Sequence, residues 1–146
     1  MSNSIFQIFK PDLDNKTIHR DSTLSDAVAQ MEKNGARSLL VRDHDGRGIG
    51  ILSEHDIVQA FAKGGDSVKN HPVANYMTRD LVVTEATAEL DYVIRMMAEY
   101  NVRHMPVVSR QGKVVSFLSV LQILMAKRNY VDLSIRHIRC HARKSH

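Results

Sequence analysis

The stretch GILSEHDIVQAFAK, residues 50–63, changes from a strand pattern to a helix pattern at a single residue. Its apolar run ends at Ser53, whose hydroxyl can accept a hydrogen bond from the first turn of a helix, and Asp56 follows within that turn. A second stretch, SFLSVLQILMAK at residues 116–127, repeats this pattern but carries Gln122 where the first has its carboxylate. The two stretches predict one structural unit that is present twice.

A shift of 66 positions aligns the two halves of the chain without a gap. Nine of the identical pairs that this shift superposes are Leu24 and Leu90, Met31 and Met97, Arg37 and Arg103, Val41 and Val107, Gly46 and Gly112, Leu52 and Leu118, Ser53 and Ser119, Ile57 and Ile123, and Ala60 and Ala126. Self-similarity at a fixed spacing indicates a duplicated supersecondary unit. The halves are therefore predicted to be two copies of one fold.

Each copy is predicted to have the element order β-α-β-β-α. A short extended piece leads to a helix whose apolar residues are spaced i, i+4, i+7, and two apolar runs joined by a glycine-containing turn lead to a final helix. The apolar helix positions are Leu24, Val28 and Met31 in copy one and Leu90, Ile94 and Met97 in copy two. Neither copy has a core large enough for comfortable stability on its own. The fold class is therefore α/β (α+β), with the two copies packed against each other.

The chain is predicted to divide into a first unit at residues 5–70, a second at 71–127 and a basic C-terminal tail at 128–146. Glycines and a proline break the pattern between the units, and PVANYM at residues 72–77 leads into the second copy. SIFQIFK at residues 4–10 is interpreted as the equivalent lead-in of the first copy.

Composition limits the classes of protein to consider. At 146 residues with 43% hydrophobic content, the chain can bury a core, and no apolar run reaches the roughly 18 residues of a membrane span. Cys140 is the single cysteine, which suits a reducing compartment, and no signal-peptide pattern is present, so a cytoplasmic location is expected. Residues 127–146 carry a net charge of +5, so the rest of the chain sums to −1.

The duplicated unit resembles a pair of CBS domains, the regulatory unit also called a Bateman module. The resemblance covers about residues 5–127 and rests on GILSEHD in one copy and on PVANYMTRD followed by NVRHMPVV in the other. It implies two units packed about a pseudo-twofold axis, with clefts that bind AMP, ADP, ATP, NAD or S-adenosylmethionine as a regulatory ligand and not as a catalytic cofactor. It also implies that two modules pair into a flat disc, so a homodimer is expected.

The [S/T]-x-x-D motif of this family matches Ser53 and Asp56, where the carboxylate accepts hydrogen bonds from ribose hydroxyls. On residue chemistry alone, the same pair can serve only as a helix cap. The resemblance favours ribose binding. In copy two Ser119 keeps the cap position, but Gln122 offers one neutral acceptor. A second, weaker site is therefore predicted, which binds weakly, binds another ligand or stays empty.

The resemblance also assigns the remaining parts of a nucleotide. Basic residues before the h-P-V strand reach ligand phosphates in the family, and Arg103 and His104 match that position, with Arg37 as the counterpart in copy one. The residues predicted to contact adenine are Thr17, Ile18, Leu39 and Leu40. The residues predicted to line the second, weaker site are Met105, Pro106, Ser119 and Gln122.

Other chemistry is not indicated. The sequence has no glycine-rich phosphate loop, no nucleophile elbow and no zinc-type cysteine pair, so neither an enzyme nor a metal site is predicted. His137, Cys140 and His141 lie close in sequence, but their spacing fits no common structural zinc site. The alternative function is binding of nucleic acid or an acidic partner by the basic tail. This alternative is disfavoured because the tail lacks interleaved aromatic residues.

Overall fold

The protein consists of two equivalent units, each with a three-stranded sheet. The computed structural model describes residues 4–132, with side chains to residue 128. The strands of the first unit are β1 (Thr17–His19), β2 (Ser38–Arg42) and β3 (Gly48–Ser53), and those of the second are β4 (Thr84–Glu85), β5 (His104–Val108) and β6 (Val114–Ser119). In both sheets the first two strands are parallel and the last two are antiparallel. The predicted fold class and duplication are confirmed.

Helices follow the strands in the predicted order. They are α1 (Ile5–Ile8), α2 (Leu24–Asn34), α3 (Glu54–Gly64), α4 (Leu90–Glu99) and α5 (Val120–Asp132), with 3-10 turns at Gly65–Asn70 and Val73–Asn75. The chain leaves α2 at Gly35 and leaves the last turn of α4 at Asn101, which have φ angles of 63° and 52° and are equivalent under the repeat. Glycine and asparagine adopt this left-handed conformation most readily, so the repeat extends to the helix ends.

Two separate cores form at equivalent positions of the repeat. The first core packs α2 and α3 on the sheet through residues that include Leu24, Met31, Val41, Leu52 and Ile57. The second core uses their counterparts Leu90, Met97, Val107, Leu118 and Ile123. Met31 and Met97 are therefore interior residues, only 6% and 2% exposed. Each methionine is covered within the core of its own unit.

The lead-in segments are exchanged between the units. Ile5 of α1 lies in the second core, and its amide donates to the carbonyl oxygen of Ala88 at 2.9 Å. Val73 and Met77 lie in the first core. The two lead-in segments thus occupy equivalent positions in the sequence and pack in equivalent ways. Each of them, however, covers the core of the other copy. The predicted boundary at residue 70 therefore lies between the two sequence repeats. Each packed unit also includes the lead-in segment from the other side of that boundary.

The two sheets meet near the pseudo-twofold axis. Ser38 and His104 are equivalent under the repeat, and Ser38 Oγ lies 3.2 Å from His104 Nδ1. Farther along the interface, a Cβ at Gly48 would lie 3.2 Å from Cγ2 of Val114, its counterpart in the repeat. Close approach of equivalent residues places the N-terminal ends of β2 and β5 side by side, where a cleft opens.

Within residues 4–132, no helix combines the length and apolar character needed to cross a bilayer. Most of the basic tail, with His137, Cys140 and His141, lies outside the described residues.

Candidate functional site

A cleft with a volume of about 1350 Å³ opens between the two units. Its residues come from equivalent positions in both copies: the ends of α2 and α4, the starts of β2 and β5, and the strand-to-helix junctions β3–α3 and β6–α5. Single-ligand pockets are typically about 300–1,000 Å³, so the cleft has room for more than one ligand-sized group. We call the part around Ser53 and Asp56 the first half and the part around Ser119 and Gln122 the second half.

In the first half, Ser53 and Asp56 form a capping box at the start of α3. Asp56 Oδ2 accepts hydrogen bonds from the amide and the hydroxyl of Ser53, both at 2.9 Å, and Ser53 Oγ accepts from the Asp56 amide at 3.2 Å. Both side chains are partly buried, and both line the cleft. Among the described residues, no hydrogen bond is recorded to Asp56 Oδ1. The structural cap therefore uses one carboxylate oxygen, and the other can accept from a ligand.

The segment before β4 forms the opposite wall of the first half. Thr78 is held beside β3 by two backbone hydrogen bonds with Ile51, of 2.8 and 2.9 Å. This pairing places Leu81 and Val82 on the cleft wall near Ser53. The corresponding segment before β1, residues 14–16, lines the second half, because Asp12 pairs with Ser116 of β6.

In the second half, Gln122 replaces Asp56 in a cap that keeps both backbone hydrogen bonds. Gln122 Oε1 accepts from the Ser119 amide at 2.9 Å, and the Gln122 amide donates to Ser119 Oγ at 3.1 Å. A backbone N–H can donate only to the oxygen of a side-chain amide, so this contact fixes the amide orientation. The single acceptor of Gln122 is therefore used by the cap, and Nε2 remains as a donor. The second half thus presents a donor where the first presents a carboxylate oxygen.

Basic and aromatic groups lie where the halves meet. Arg37 and Arg103 both line the cleft with exposed side chains, and among the described residues neither forms a salt bridge. His104 stacks on Phe117, with ring centroids 5.2 Å apart and planes 9° from parallel. Burial, with a smaller effect from the neighbouring charge of Arg103, lowers the pKa of His104 below its usual 6.5. The imidazole is therefore neutral at pH 7 and can hydrogen bond to Ser38.

The residues predicted to bind the nucleotide are only partly brought together. Ser53, Asp56, Arg37, Arg103 and His104 share the cleft, as do Ser119 and Gln122. Thr17, Ile18, Leu39 and Leu40 are not among the residues that line the cleft, and the side chains of Ile18, Leu39 and Leu40 are buried. Met105 and Pro106 are also buried and do not line the second half.

The wall segments before β1 and β4 were missed by sequence reasoning. They lack regular secondary structure, and their positions depend on pairing with the other copy. One signal was available, since the 66-residue shift superposes Asp14 on Asp80, and both lie on the cleft.

Pro106 changes the hydrogen bonding of this wall. In the first unit, the Leu40 amide donates to the Lys16 carbonyl oxygen at 2.8 Å. The equivalent pair in the second unit is Pro106 and Val82, and proline has no N–H to donate. The Val82 carbonyl oxygen therefore cannot receive the corresponding hydrogen bond.

Comparison with known proteins agrees with this architecture. The sequence profile of the CBS domain family matches residues 7–63 and 73–129. An uncharacterized 17.7 kDa protein of Acidianus ambivalens is 31% identical over 104 residues, which cover 71% of this chain and 62% of that protein. The chain spans only 40% of another curated relative, from Methanocaldococcus jannaschii.

Solved structures of similar fold include proteins with bound adenosine compounds. The CBS domain pair of protein MJ0100, in complex with 5-methylthioadenosine and S-adenosyl-L-methionine, has a TM-score of 0.75, with 23% identity over 89% of this chain and 99% of that chain. CBSX2 of Arabidopsis thaliana has been solved in complex with AMP, with a TM-score of 0.73 and 19% identity over 87% of this chain and 97% of that chain. At these identities the likeness concerns the fold.

Proposed function

Because this chain belongs to the CBS domain family, we propose that it is a regulatory module that binds an adenine nucleotide in the cleft between its two units, with the first half as the main site. The observation that carries this proposal is the geometry of Asp56. Its carboxylate lies on the cleft, one oxygen is fixed by the helix cap, and no hydrogen bond to the other is recorded among the described residues.

The ribose is assigned to Ser53 and Asp56. A ribose presents two neighbouring hydroxyl donors, and a carboxylate oxygen is an acceptor with two lone pairs. Because Asp56 is held by its contacts with Ser53, it needs little reorganisation to accept these hydrogen bonds. A charged acceptor also makes stronger hydrogen bonds than a neutral one.

The adenine is assigned to the wall formed by Ile51, Leu81 and Val82. Their partly buried side chains offer apolar surface for a purine ring. The Val82 carbonyl, which Pro106 cannot engage, is an acceptor for the exocyclic amino group. We prefer this assignment to the sequence-based prediction of Thr17, Ile18, Leu39 and Leu40, because those four residues are not among the ones that line the cleft.

The phosphates are assigned to Arg37, Arg103 and His104 at the centre of the cleft. Guanidinium groups bind phosphate oxygens through paired N–H donors. The solved relatives bound to AMP and to S-adenosylmethionine support an adenosine-containing ligand in general. AMP, ADP, ATP, NAD and S-adenosylmethionine all remain in the proposal.

The second half is proposed to bind ribose weakly, because Gln122 offers its amide nitrogen there and not a carboxylate. Ser119 lines this half and offers a hydroxyl to a ligand, whereas Met105 and Pro106 are buried and do not line it.

We propose that the module acts without catalysis, as a homodimer that regulates another protein. Ser38 and His104 belong to different units and hydrogen bond across the cleft, so a ligand beside them contacts both units at once. Ligand binding is expected to change the relative position of the units and, through it, affinity for the regulated partner.

The substitution Asp56→Gln tests the main site while preserving the cap. The second unit shows that glutamine at this position keeps both backbone hydrogen bonds of the capping box. We therefore expect the melting temperature without ligand to stay close to that of the parent. The loss of a charged hydrogen-bonding partner costs about 1.5–3 kcal/mol, so affinity for AMP should fall about tenfold or more in calorimetric titration.

The matched control is Gln122→Ala, which should leave AMP affinity at the main site unchanged. The reciprocal change Gln122→Asp should strengthen binding in the second half and raise the measured stoichiometry. Equal losses of affinity in Asp56→Gln and Gln122→Ala, or AMP binding insensitive to Asp56→Gln, would contradict the assignment of the main site.

A further inference from the structure

A cluster of two imidazoles and one carboxylate lies away from the cleft. His19 ends β1, Asp21 lies in the turn that follows, and His44 lies in the turn between β2 and β3. One potential ligand atom from each side chain lies within 4.8 Å of the other two. Since β1 pairs His19 with Arg42 and Ser38 lines the cleft, the cluster is about 13 Å along β2 from the nucleotide site.

The carboxylate of Asp21 is directed toward both histidines. Asp21 Oδ2 lies 3.3 Å from His44 Nε2 and 3.9 Å from His19 Nδ1. The other oxygen, Oδ1, lies 3.7 Å from Arg20 Nε. Arg20 opposes the approach of a cation, but it engages the oxygen that the histidines do not. The imidazole rings lie with their centroids 4.8 Å apart.

These spacings are close to those of a bound transition-metal ion. Zinc binds imidazole nitrogen and carboxylate oxygen at about 2.0–2.2 Å in tetrahedral geometry, so two of its ligand atoms lie about 3.3–3.6 Å apart. The 3.3 Å between Asp21 Oδ2 and His44 Nε2 matches this spacing, and a small adjustment of the exposed side chains would shorten the 3.9 Å between Asp21 Oδ2 and His19 Nδ1 to it. His19 Nδ1 accepts a hydrogen bond from the Asp21 amide at 3.1 Å, which metal binding through that atom would replace.

We propose that His19, Asp21 and His44 form a binding site for a divalent transition-metal ion of the Zn²⁺ class. Two imidazoles select borderline metals over Mg²⁺ or Ca²⁺, which prefer all-oxygen ligands. Three protein ligands leave at least one coordination position for water, because all three side chains are exposed. The ion would join the turn after β1 to the turn between β2 and β3, independently of the nucleotide site.

The test is a calorimetric titration of the full-length chain with ZnCl₂ at pH 7.5, with MgCl₂ as a parallel arm. Because His137, Cys140 and His141 could also bind zinc, the parent for the titration carries His137→Ala, Cys140→Ser and His141→Ala. We expect one Zn²⁺ per chain, no detectable Mg²⁺ binding, and a higher melting temperature with zinc.

In this parent, His19→Ala and His44→Ala should each weaken zinc binding at least tenfold, and Asp21→Asn should also weaken it. The matched control is Asp45→Asn, which removes an exposed negative charge next to His44 but no ligand of the cluster. Melting temperatures without metal check that each variant folds. The proposal is overturned if the parent binds no zinc, if both histidine variants bind it normally, or if Asp45→Asn weakens binding as much as His44→Ala.

Discussion

Asp56 combines a structural and a proposed binding role in one side chain. Thr23 and Asp26 form the same capping box at α2, with hydrogen bonds of 2.9 and 3.1 Å, but they do not line the cleft. A Ser/Thr followed by Asp three residues later therefore specifies a helix start and does not by itself specify a site. What distinguishes Asp56 is the tertiary pairing that places residues 78–82 opposite it. Gln122 shows the converse, because the cap persists where the carboxylate is lost.

His104 is expected to make stability depend on pH. Its pKa is lowered in the folded protein by burial and, to a smaller extent, by Arg103. The unfolded chain therefore binds more protons than the folded one once the pH falls below about 6.5. The free energy of unfolding, and with it the stability of the protein, should therefore decrease with acidification. We expect His104→Gln, which can still hydrogen bond to Ser38, to lose less stability than the parent between pH 7.5 and 5.5 in urea unfolding.

The control for this measurement is His55→Gln, which removes an exposed imidazole from α3. Its pH dependence should follow that of the parent. Identical slopes for the parent and His104→Gln would show that His104 does not contribute to the acid sensitivity.

At the scale of elements, the sequence predicts what is local and repeated. The 66-residue shift and the apolar spacing identify the paired strands and the four long helices, because each depends on contacts within one copy. The exchange of α1 and the 73–77 segment between units could not be predicted, since either core could accept an apolar turn. The wall to which we assign adenine could not be predicted for the same reason. β1 and β2 supply core residues, whereas the wall is formed by segments that cross from one unit to the other.

Gly50 is required for one of these crossings. A Cβ at this position would lie 2.6 Å from Met77 Sδ and 3.0 Å from the Thr78 carbonyl oxygen. Overpacking of this kind typically costs about 1–3 kcal/mol, so Gly50→Ala should lower the urea midpoint accordingly. Because Thr78 is held by Ile51 and begins the cleft wall, nucleotide affinity should fall as well.

A double-mutant cycle with Met77→Ala distinguishes this clash from a general effect on the strand. The cost of Gly50→Ala should be smaller in the Met77→Ala background, where the side chain that meets the new methyl group is shortened. Equal costs in both backgrounds would mean that Met77 is not the source of the clash.

For the whole molecule, the arrangement of exposed apolar side chains favours pairing with a second copy. Val58 on α3 and Leu124 on α5 are equivalent under the repeat and are 65% and 49% exposed. Val28 and Met125 add exposed surface on α2 and α5, at 43% and 51%. None of these four belongs to either core. The same pseudo-twofold symmetry that forms the cleft therefore also repeats an apolar surface on the helices.

We expect the protein to be a homodimer whose interface includes α3 and α5. Val58→Glu and Leu124→Glu each place a charge in that interface, and burying an unpaired charge is strongly unfavourable. Light scattering should therefore give the mass of two 16.5 kDa chains for the parent and of one chain for either variant at micromolar concentration. Gln111→Glu adds the same charge in the exposed turn between β5 and β6, away from these helices, and should remain dimeric. Circular dichroism should show unchanged helix content, because Val58 and Leu124 lie outside the cores. A parent that is monomeric with and without AMP would rule out the dimer, and a dimer that survives both substitutions would place its interface elsewhere.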